Sequence, residues 1–183
     1  MVVKQTNRPI LPDSKVFAKC DTMDEADKSL RLLADGMLGR LARWLRLLGY
    51  DVAYDNAASD NELARRARAE GRVLLTRDRE LAARRGLDTL LLESQMLEEQ
   101  VREVQHRLGP PPQPALSRCS VCNGELRPIP RAEVSELVPR YVLRNQTKFR
   151  RCSNCGRIYW PGTHLGGMRA TIDELAPSEP EES

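Results

Sequence analysis

The apolar positions of the chain predict an alternation of strands and helices. Short apolar runs of strand length occur four times, and they are LRLLA (30–34), DVAYD (51–55), RVLLT (72–76) and TLLLE (89–93). After the first run, Leu38, Leu41, Leu45 and Leu48 recur at the spacing of one buried helical face, and Gly49 follows as a helix-ending residue. This pattern predicts a βα unit, and the same order then recurs along the chain.

Three further helices are predicted between and after the remaining runs. One opens at Asp60 and ends at Gly71, a short one covers 79–85, and the last follows Ser94 with apolar positions at Leu97, Val101, Val104 and Leu108. Strands that alternate with helices through such short connections form a parallel sheet with helices on both faces. We therefore predict an α/β domain of βαβαβαβα order.

Composition shifts divide the 183 residues into five segments. We predict an N-terminal arm (1–28), the α/β domain (29–108), a Pro-rich linker (109–116), a zinc-binding module (117–169) and an acidic disordered tail (170–183). The sequence contains no apolar run of 18 residues and no secretory h-region, so we expect a reducing, cytoplasmic setting.

Two Cys-x-x-Cys pairs are the most specific motif of the chain. They are Cys119/Cys122 and Cys152/Cys155, and they leave only Cys20 unpaired among five cysteines. Small residues after each pair allow backbone N–H groups to point at thiolate sulfur, as tetrahedral four-Cys zinc sites require. A disulfide pair, a redox motif or a chance spacing are the alternatives. We favour structural zinc, with the 29-residue spacer absorbed as a loop between two hairpins.

Charge is segregated along a chain whose formal net charge is only +3. Residues 29–108 carry 14 Arg against 13 acidic residues, whereas residues 117–169 carry ten basic residues against three acidic ones. A basic zinc module beside a near-neutral domain is typical of a polyanionic partner, most simply nucleic acid. A basic surface that only aids solubility is the alternative.

Three aspartates follow or adjoin the carboxyl ends of predicted strands, where sites of parallel sheets form. Asp35 follows the first strand, Asp60 opens the second helix and Asp78 follows the third strand. Clustered carboxylates repel one another, and a hard cation such as Mg²⁺ or Mn²⁺ relieves that repulsion and can assist attack of water on a phosphodiester. Each aspartate also has a structural alternative, because Asp60 and Asp78 can cap helices and Asp35-Gly36 can form a turn.

Candidate nucleic-acid contacts lie on the first helix and in the zinc module. On the helix, Arg40 and Arg43 could track a phosphate backbone, whereas we assign Arg46 to the solvated face and Trp44 to packing. In the module, aromatic faces beside basic residues could stack single-stranded bases, although Tyr159 is assigned to the core of the zinc module. The remaining predicted contacts are Arg77, Arg150, Arg151, Trp160 and His164.

Five segments, in order, carry a resemblance to a known family. They are DGMLGRLARWLRLLGYDV, SDNEL, VLLTRD, RCSVCNGEL and CGRIYWPGTH. Together they resemble the Mut-seven C-terminal RNase family, a branch of the PIN-like nucleases with a C-terminal zinc ribbon, over residues 30–168. The resemblance implies a PIN-like parallel sheet followed by a small four-Cys zinc ribbon. It also implies RNA hydrolysis with Mg²⁺ or Mn²⁺ at an acidic cluster, to which Asp35, Asp60 and Asp78 correspond. Glu93 and Asp55 are weak matches to a fourth acid.

These observations favour a metal-dependent endoribonuclease in which the zinc ribbon holds the RNA. Transfer RNA and ribosomal RNA are the candidate substrates. A non-catalytic RNA- or ribosome-binding adaptor is the alternative, in which the basic ribbon alone is functional. A metal-dependent phosphatase acting on a small phosphoester is a third hypothesis, which needs neither the ribbon nor its positive charge.

Overall fold

The computed structural model of the protein describes residues 2–4 and 30–161. A three-residue strand, β1 (Val2–Lys4), belongs to the N-terminal arm and was not predicted. The rest of that arm, with Cys20, and residues 162–183, with His164, lie outside the described residues. No helix in the described part of the chain is both long and apolar enough to span a membrane.

The predicted parallel sheet is confirmed. Its strands are β2 (Arg31–Ala34), β3 (Asp51–Tyr54), β4 (Val73–Thr76) and β5 (Thr89–Leu91), and all neighbours are parallel in the order β3-β2-β4-β5. In register, Leu33 lies beside Ala53 on one side and beside Leu74 on the other. This order places the carboxyl ends of β2 and β4 next to each other, and Asp35 and Asp78 follow those two ends.

Helices cover both faces of this sheet, as predicted. They are α1 (Gly39–Leu48), α2 (Asp60–Glu70), α3 (Arg79–Ala82) and α4 (Leu97–Leu108), with a 3-10 turn at Gly36–Leu38 before α1. The apolar residues of α1 and α4 pack with Leu32 and Val52 in one core, and those of α2 and α3 pack with Leu33 and Leu74 in another. The predicted apolar positions are all buried, with Leu38 in the 3-10 turn and Leu41, Leu45 and Leu48 in α1.

Gly49 ends α1 for two reasons. Its φ is 112°, in the left-handed region, and its N–H donates to the carbonyls of Leu45 and Arg46. A Cβ at this position would lie 2.0 Å from the carbonyl oxygen of Gln113, because the Pro-rich segment crosses the helix end here. That crossing continues at Leu116, whose N–H donates to the carbonyl of Leu47 at 2.7 Å.

The second sheet is antiparallel and contains the cysteine pairs at one end. It contains β1 together with β6 (Leu126–Ile129), β7 (Phe149–Cys152) and β8 (Ile158–Trp160), in the order β1-β8-β7-β6. The long segment between the cysteine pairs is not a simple loop, since it contains a 3-10 turn (Arg131–Val134) and a helix, α5 (Arg140–Asn145). Val134, Val138 and Val142 of this segment pack on Phe149 and Trp160.

An arginine buried between the two sheets corrects one prediction. Arg46 is only 4% exposed, so its assignment to a solvated face was wrong. Its Nε donates to the carbonyl of Val52 at 2.8 Å, and its Nη1 donates to the carbonyls of Val121 at 2.9 Å and Ser120 at 3.3 Å. The side chain therefore joins α1 and the edge strand β3 to the backbone between Cys119 and Cys122.

A second polar contact fixes the same junction. Asn123 Nδ2 donates to Asp51 Oδ1 at 2.8 Å, while its Oδ1 accepts the N–H of Val52 at 3.0 Å. Asp51 also pairs with Arg72 at 2.7 Å and with Arg118 at 3.4 Å. The side chain of Asn123 thus satisfies a backbone N–H of the edge strand β3, where a further strand would otherwise pair.

Candidate active site and zinc centre

The four thiols of the cysteine pairs converge on one point. Their sulfur atoms all lie within 4.8 Å of one another, with Cys119 and Cys155 at 3.7 Å and Cys122 and Cys152 at 3.4 Å. A tetrahedral zinc with Zn–S bonds of about 2.3 Å requires sulfur separations of about 3.8 Å. The donor set and its spacing therefore fit Zn²⁺, and these four residues are the ones that would hold it.

Backbone and side-chain donors surround the sulfurs. The N–H of Cys122 approaches Cys119 Sγ at 3.5 Å, the N–H of Cys155 approaches Cys152 Sγ at 3.4 Å, and the Tyr159 hydroxyl lies 2.9 Å from Cys119 Sγ. Burial acts to raise the pKa of the Cys119 thiol, but hydrogen bonds from Tyr159 and the backbone lower it to about 7. Such donors orient thiolate ligands, and Tyr159 combines this contact with the core position predicted for it.

Close approach of the two cysteine loops accounts for Gly124. A Cβ at this position would lie 2.8 Å from Cys152 Sγ and 2.7 Å from the Cβ of Asn154. Both distances are shorter than van der Waals contact, so any other residue would force the loops apart. The small residue after the first pair is thus required by the zinc geometry.

At the carboxyl edge of the parallel sheet, one threonine contacts two of the three predicted aspartates. The hydroxyl of Thr76, which is fully buried, donates to Asp35 Oδ2 at 2.7 Å and accepts the N–H of Asp78 at 3.0 Å. Asp78 is also the cap of α3, because its Oδ1 accepts the N–H groups of Glu80 and Leu81 at 2.7 and 3.2 Å. Each carboxylate is therefore oriented through one oxygen, and the second oxygen has no hydrogen bond to a described residue.

Asp60 lies apart from this pair. It is the first residue of α2, and Ser59 rather than Asp60 caps the helix. Its side chain is 52% exposed, and it pairs with Arg84 at 3.5 Å. Within residues 30–161, the four cysteines are the only group of three or more potential ligands within 4.8 Å, so the three aspartates do not converge on one point. Asp60 is therefore not part of a ligand group with Asp35 and Asp78 in the observed geometry.

The two weaker acidic candidates have different surroundings. Asp55 is exposed, and its Oδ1 accepts the N–H of Ala57 at 2.9 Å, which is the contact of a local turn. Glu93 is also exposed and lines a cavity beside β5. Neither residue joins a potential ligand group in the described part of the chain.

The predicted nucleic-acid contacts divide by exposure. Arg40 and Arg43 are exposed on α1, and Arg151 is exposed on β7. Arg150 is also exposed, and its Nη1 donates to the carbonyl of Leu116 at 3.0 Å. Trp160 is only 3% exposed in the ribbon core, so its ring face is not accessible for base stacking, which corrects its predicted role.

The family model described as Mut7-C RNAse domain matches residues 30–172 of the chain. The chain belongs to the Mut7-C RNAse domain family. This match confirms the resemblance inferred from the five segments, and it supports a nuclease-type, RNA-related role. Searches of the curated proteins and of the solved structures found no match to the chain.

Three features of this Mut7-C RNAse domain were missed from its sequence. Thr76 could have been noticed as the polar end of an apolar strand, directly before Arg77-Asp78. Arg46 lies four residues after the buried Ala42, so its position on the helix pointed to burial. Tyr141 is 64% exposed on α5 between Arg140 and Arg144, but only the structure of the inserted segment shows that it is available.

Proposed function

We propose that this chain is a divalent-metal-dependent ribonuclease that cleaves RNA endonucleolytically. The observation that supports this most is the bridge from Asp35 through Thr76 to Asp78 at the carboxyl edge of the parallel sheet, within a Mut7-C RNAse domain. Ligand sites of open parallel sheets form at this edge. The family supplies the nuclease class. The Thr76 hydroxyl orients the Asp35 carboxylate, and the N–H groups of α3 orient the Asp78 carboxylate.

Asp35 and Asp78 are the residues that would hold Mg²⁺ or Mn²⁺, and one oxygen of each carboxylate already accepts hydrogen bonds within the protein. When bound, such a cation supplies Lewis acidity that makes water nucleophilic and offsets charge on the phosphate. Thr76 acts as a positioning residue, because its buried hydroxyl keeps the Asp35 carboxylate in one orientation. Asp60 would contribute to cation binding only after its ion pair with Arg84 is broken.

Exposed basic residues would bind the RNA on both the α/β domain and the zinc ribbon. Arg40 and Arg43 lie on the helix that follows Asp35, where they would contact phosphates near the carboxylates. On the ribbon, Arg151 would contact the RNA backbone. Tyr141 would provide the stacking face that the buried Trp160 does not provide, since an exposed aromatic ring stacks on any base.

Zinc would act structurally in this proposal. Four free thiol ligands are typical of a reducing compartment, and we propose a cytoplasmic location. A basic ribbon contacts phosphates without reading sequence, so it does not favour one RNA over another. Transfer RNA and ribosomal RNA both remain candidate substrates.

The experiment that tests the proposal separates cleavage from binding. Wild-type protein and Asp35→Asn are incubated with labelled transfer RNA in Mg²⁺ or Mn²⁺, and RNA affinity is measured without added divalent metal. The amide oxygen of the variant can still accept the Thr76 hydrogen bond, so we expect a folded protein that binds RNA and does not cleave it. Asp88→Asn removes the same charge at an exposed position and should cleave like wild type. Equal cleavage by all three proteins would exclude Asp35 from the reaction.

A second candidate is the non-catalytic RNA- or ribosome-binding adaptor. It is favoured by the separation of Asp60 from the other two carboxylates and by its ion pair with Arg84, which together leave no three-carboxylate group among the described residues. The adaptor predicts RNA binding by wild type and by Asp35→Asn, with no cleavage by either protein in Mg²⁺ or Mn²⁺.

A further inference from the structure

A cavity of about 290 Å³ opens beside the carboxyl ends of β4 and β5. Arg77, Arg79 and Glu93 line it together with Leu91 and Leu92. A second cavity of about 460 Å³ shares Arg79, Leu91 and Glu93 and is also lined by Arg107. The two cavities therefore form a cleft with arginines along it and a leucine floor.

The cleft adjoins the carboxylate pair through the backbone. The N–H of Leu92, on the cavity floor, donates to the carbonyl of Thr76 at 2.8 Å, and Thr76 bridges Asp35 and Asp78. Arg77 lies between Thr76 and Asp78 in the chain. The cleft and the proposed site of hydrolysis are therefore both built on the segment that ends β4.

Arg77 itself has an unmet hydrogen-bonding requirement. Its Nε is buried and has no hydrogen-bond partner among the described residues, and neither Arg77 nor Arg79 forms an ion pair within residues 30–161. Arg118 Nε is also buried without a partner among the described residues, but the guanidinium of Arg118 pairs with Asp51. A buried donor without a partner destabilises the fold. An anionic oxygen is the partner that a guanidinium binds best, because its planar fork matches phosphate geometry.

We propose that this cleft binds an internal phosphodiester of single-stranded RNA, with Arg77 and Arg79 donating to the phosphate next to the one that is cleaved. The two arginines and Glu93 give the smaller cavity a net charge of +1, which balances the single charge of an internal phosphodiester. The leucine floor offers apolar contact to the sugar or base. This inference rests on the proposed ribonuclease function and assigns one subsite of it.

The test compares Arg77→Met with Arg102→Met, which removes the same charge from an exposed position of α4 that lines neither cavity. Binding of a labelled single-stranded oligoribonucleotide is measured without added divalent metal over a range of salt concentrations. For Arg77→Met we expect an affinity about tenfold lower, because one charge-assisted hydrogen bond is lost. The slope of log affinity against log salt concentration should be smaller in magnitude by about 0.7. Arg102→Met should match wild type in both.

Stability provides a second readout. Because Arg77→Met removes a buried donor that has no partner among the described residues, its thermal midpoint should equal or exceed that of wild type. Affinity and salt slope equal to those of Arg102→Met would overturn the subsite.

The outcomes separate this inference from the ribonuclease proposal. If Arg77→Met weakens binding while wild type fails to cleave RNA, the cleft binds a phosphodiester, but the nuclease proposal fails and the cleft is not a subsite of cleavage. If wild type cleaves RNA and Arg77→Met binds like its control, the nuclease proposal stands and the subsite fails. Absence of RNA binding by wild type would overturn both.

Discussion

Replacing Arg46 tests how the zinc ribbon and the parallel sheet stabilise each other. Arg46→Met keeps the aliphatic stem but removes hydrogen bonds to the carbonyls of Val52, Val121 and Ser120. The two shorter bonds are worth about 1.5–3 kcal/mol each as charge-assisted contacts. Burial lowers the pKa of Arg46, which means that desolvation of the guanidinium offsets part of this gain. We expect a net loss of about 3 kcal/mol in the free energy of unfolding.

The assay is urea denaturation at fixed zinc concentration, with Arg43→Met as the control. Arg43 lies on the same helix but is exposed, so its replacement should change stability by less than about 0.5 kcal/mol. Because Arg46 binds carbonyls between Cys119 and Cys122, a chelator should also extract zinc faster from Arg46→Met. Stability and zinc release indistinguishable from those of Arg43→Met would refute the view that Arg46 joins the two sheets.

Three further predictions address the junction, the zinc and the ribbon surface. Burial acts to raise the pKa of Asp51, but hydrogen bonds from Arg72 and Asn123 lower it. The stabilisation by Asp51 is therefore complete above its unfolded pKa of about 4 and is lost as pH falls through the lower folded value. Asp51→Asn should lower the free energy of unfolding by about 2 kcal/mol at every pH from 6 to 8. A difference between the denaturation midpoints of variant and wild type that changes with pH across that range would contradict this. Zinc chelation should unfold the ribbon cooperatively and expose Trp160, which would change the tryptophan fluorescence. Unchanged emission would show that zinc is dispensable. Tyr141→Ala should weaken binding of single-stranded RNA by about 1–3 kcal/mol while Tyr141→Phe binds like wild type, and equal affinities for all would remove Tyr141 from the interface.

Local sequence patterns predicted the elements of this fold well. The four apolar runs became the four parallel strands, because the inner residues of strands covered by helices on both faces are apolar. Gly49 and the cysteine pairs were also predictable, since a helix end and a metal loop each depend on a few neighbouring residues. In each case the determinants lie within a few positions of one another.

Contacts between distant segments were not predictable in the same way. The partners of Arg46 in the zinc loop are more than 70 positions away, and the bond from Asn123 to Asp51 spans 72 positions. Trp160 was assigned to an RNA surface because basic residues lie near it in the sequence, but the segment between the cysteine pairs buries it. The aspartates were correctly assigned to elements, but their separations depend on side-chain orientations that no periodicity encodes.

The measurement that tests the central claim most directly is cleavage of a circular RNA. A circle has no ends, so only an endonuclease can open it, and the linear product is resolved on a denaturing gel. With Mg²⁺ or Mn²⁺, wild type should linearise the circle, whereas Asp35→Asn/Asp78→Asn, purified in the same way, should bind it and leave it closed. A circle that stays closed while bound to wild type, or that opens equally with the double variant, would contradict a ribonuclease centred on these carboxylates.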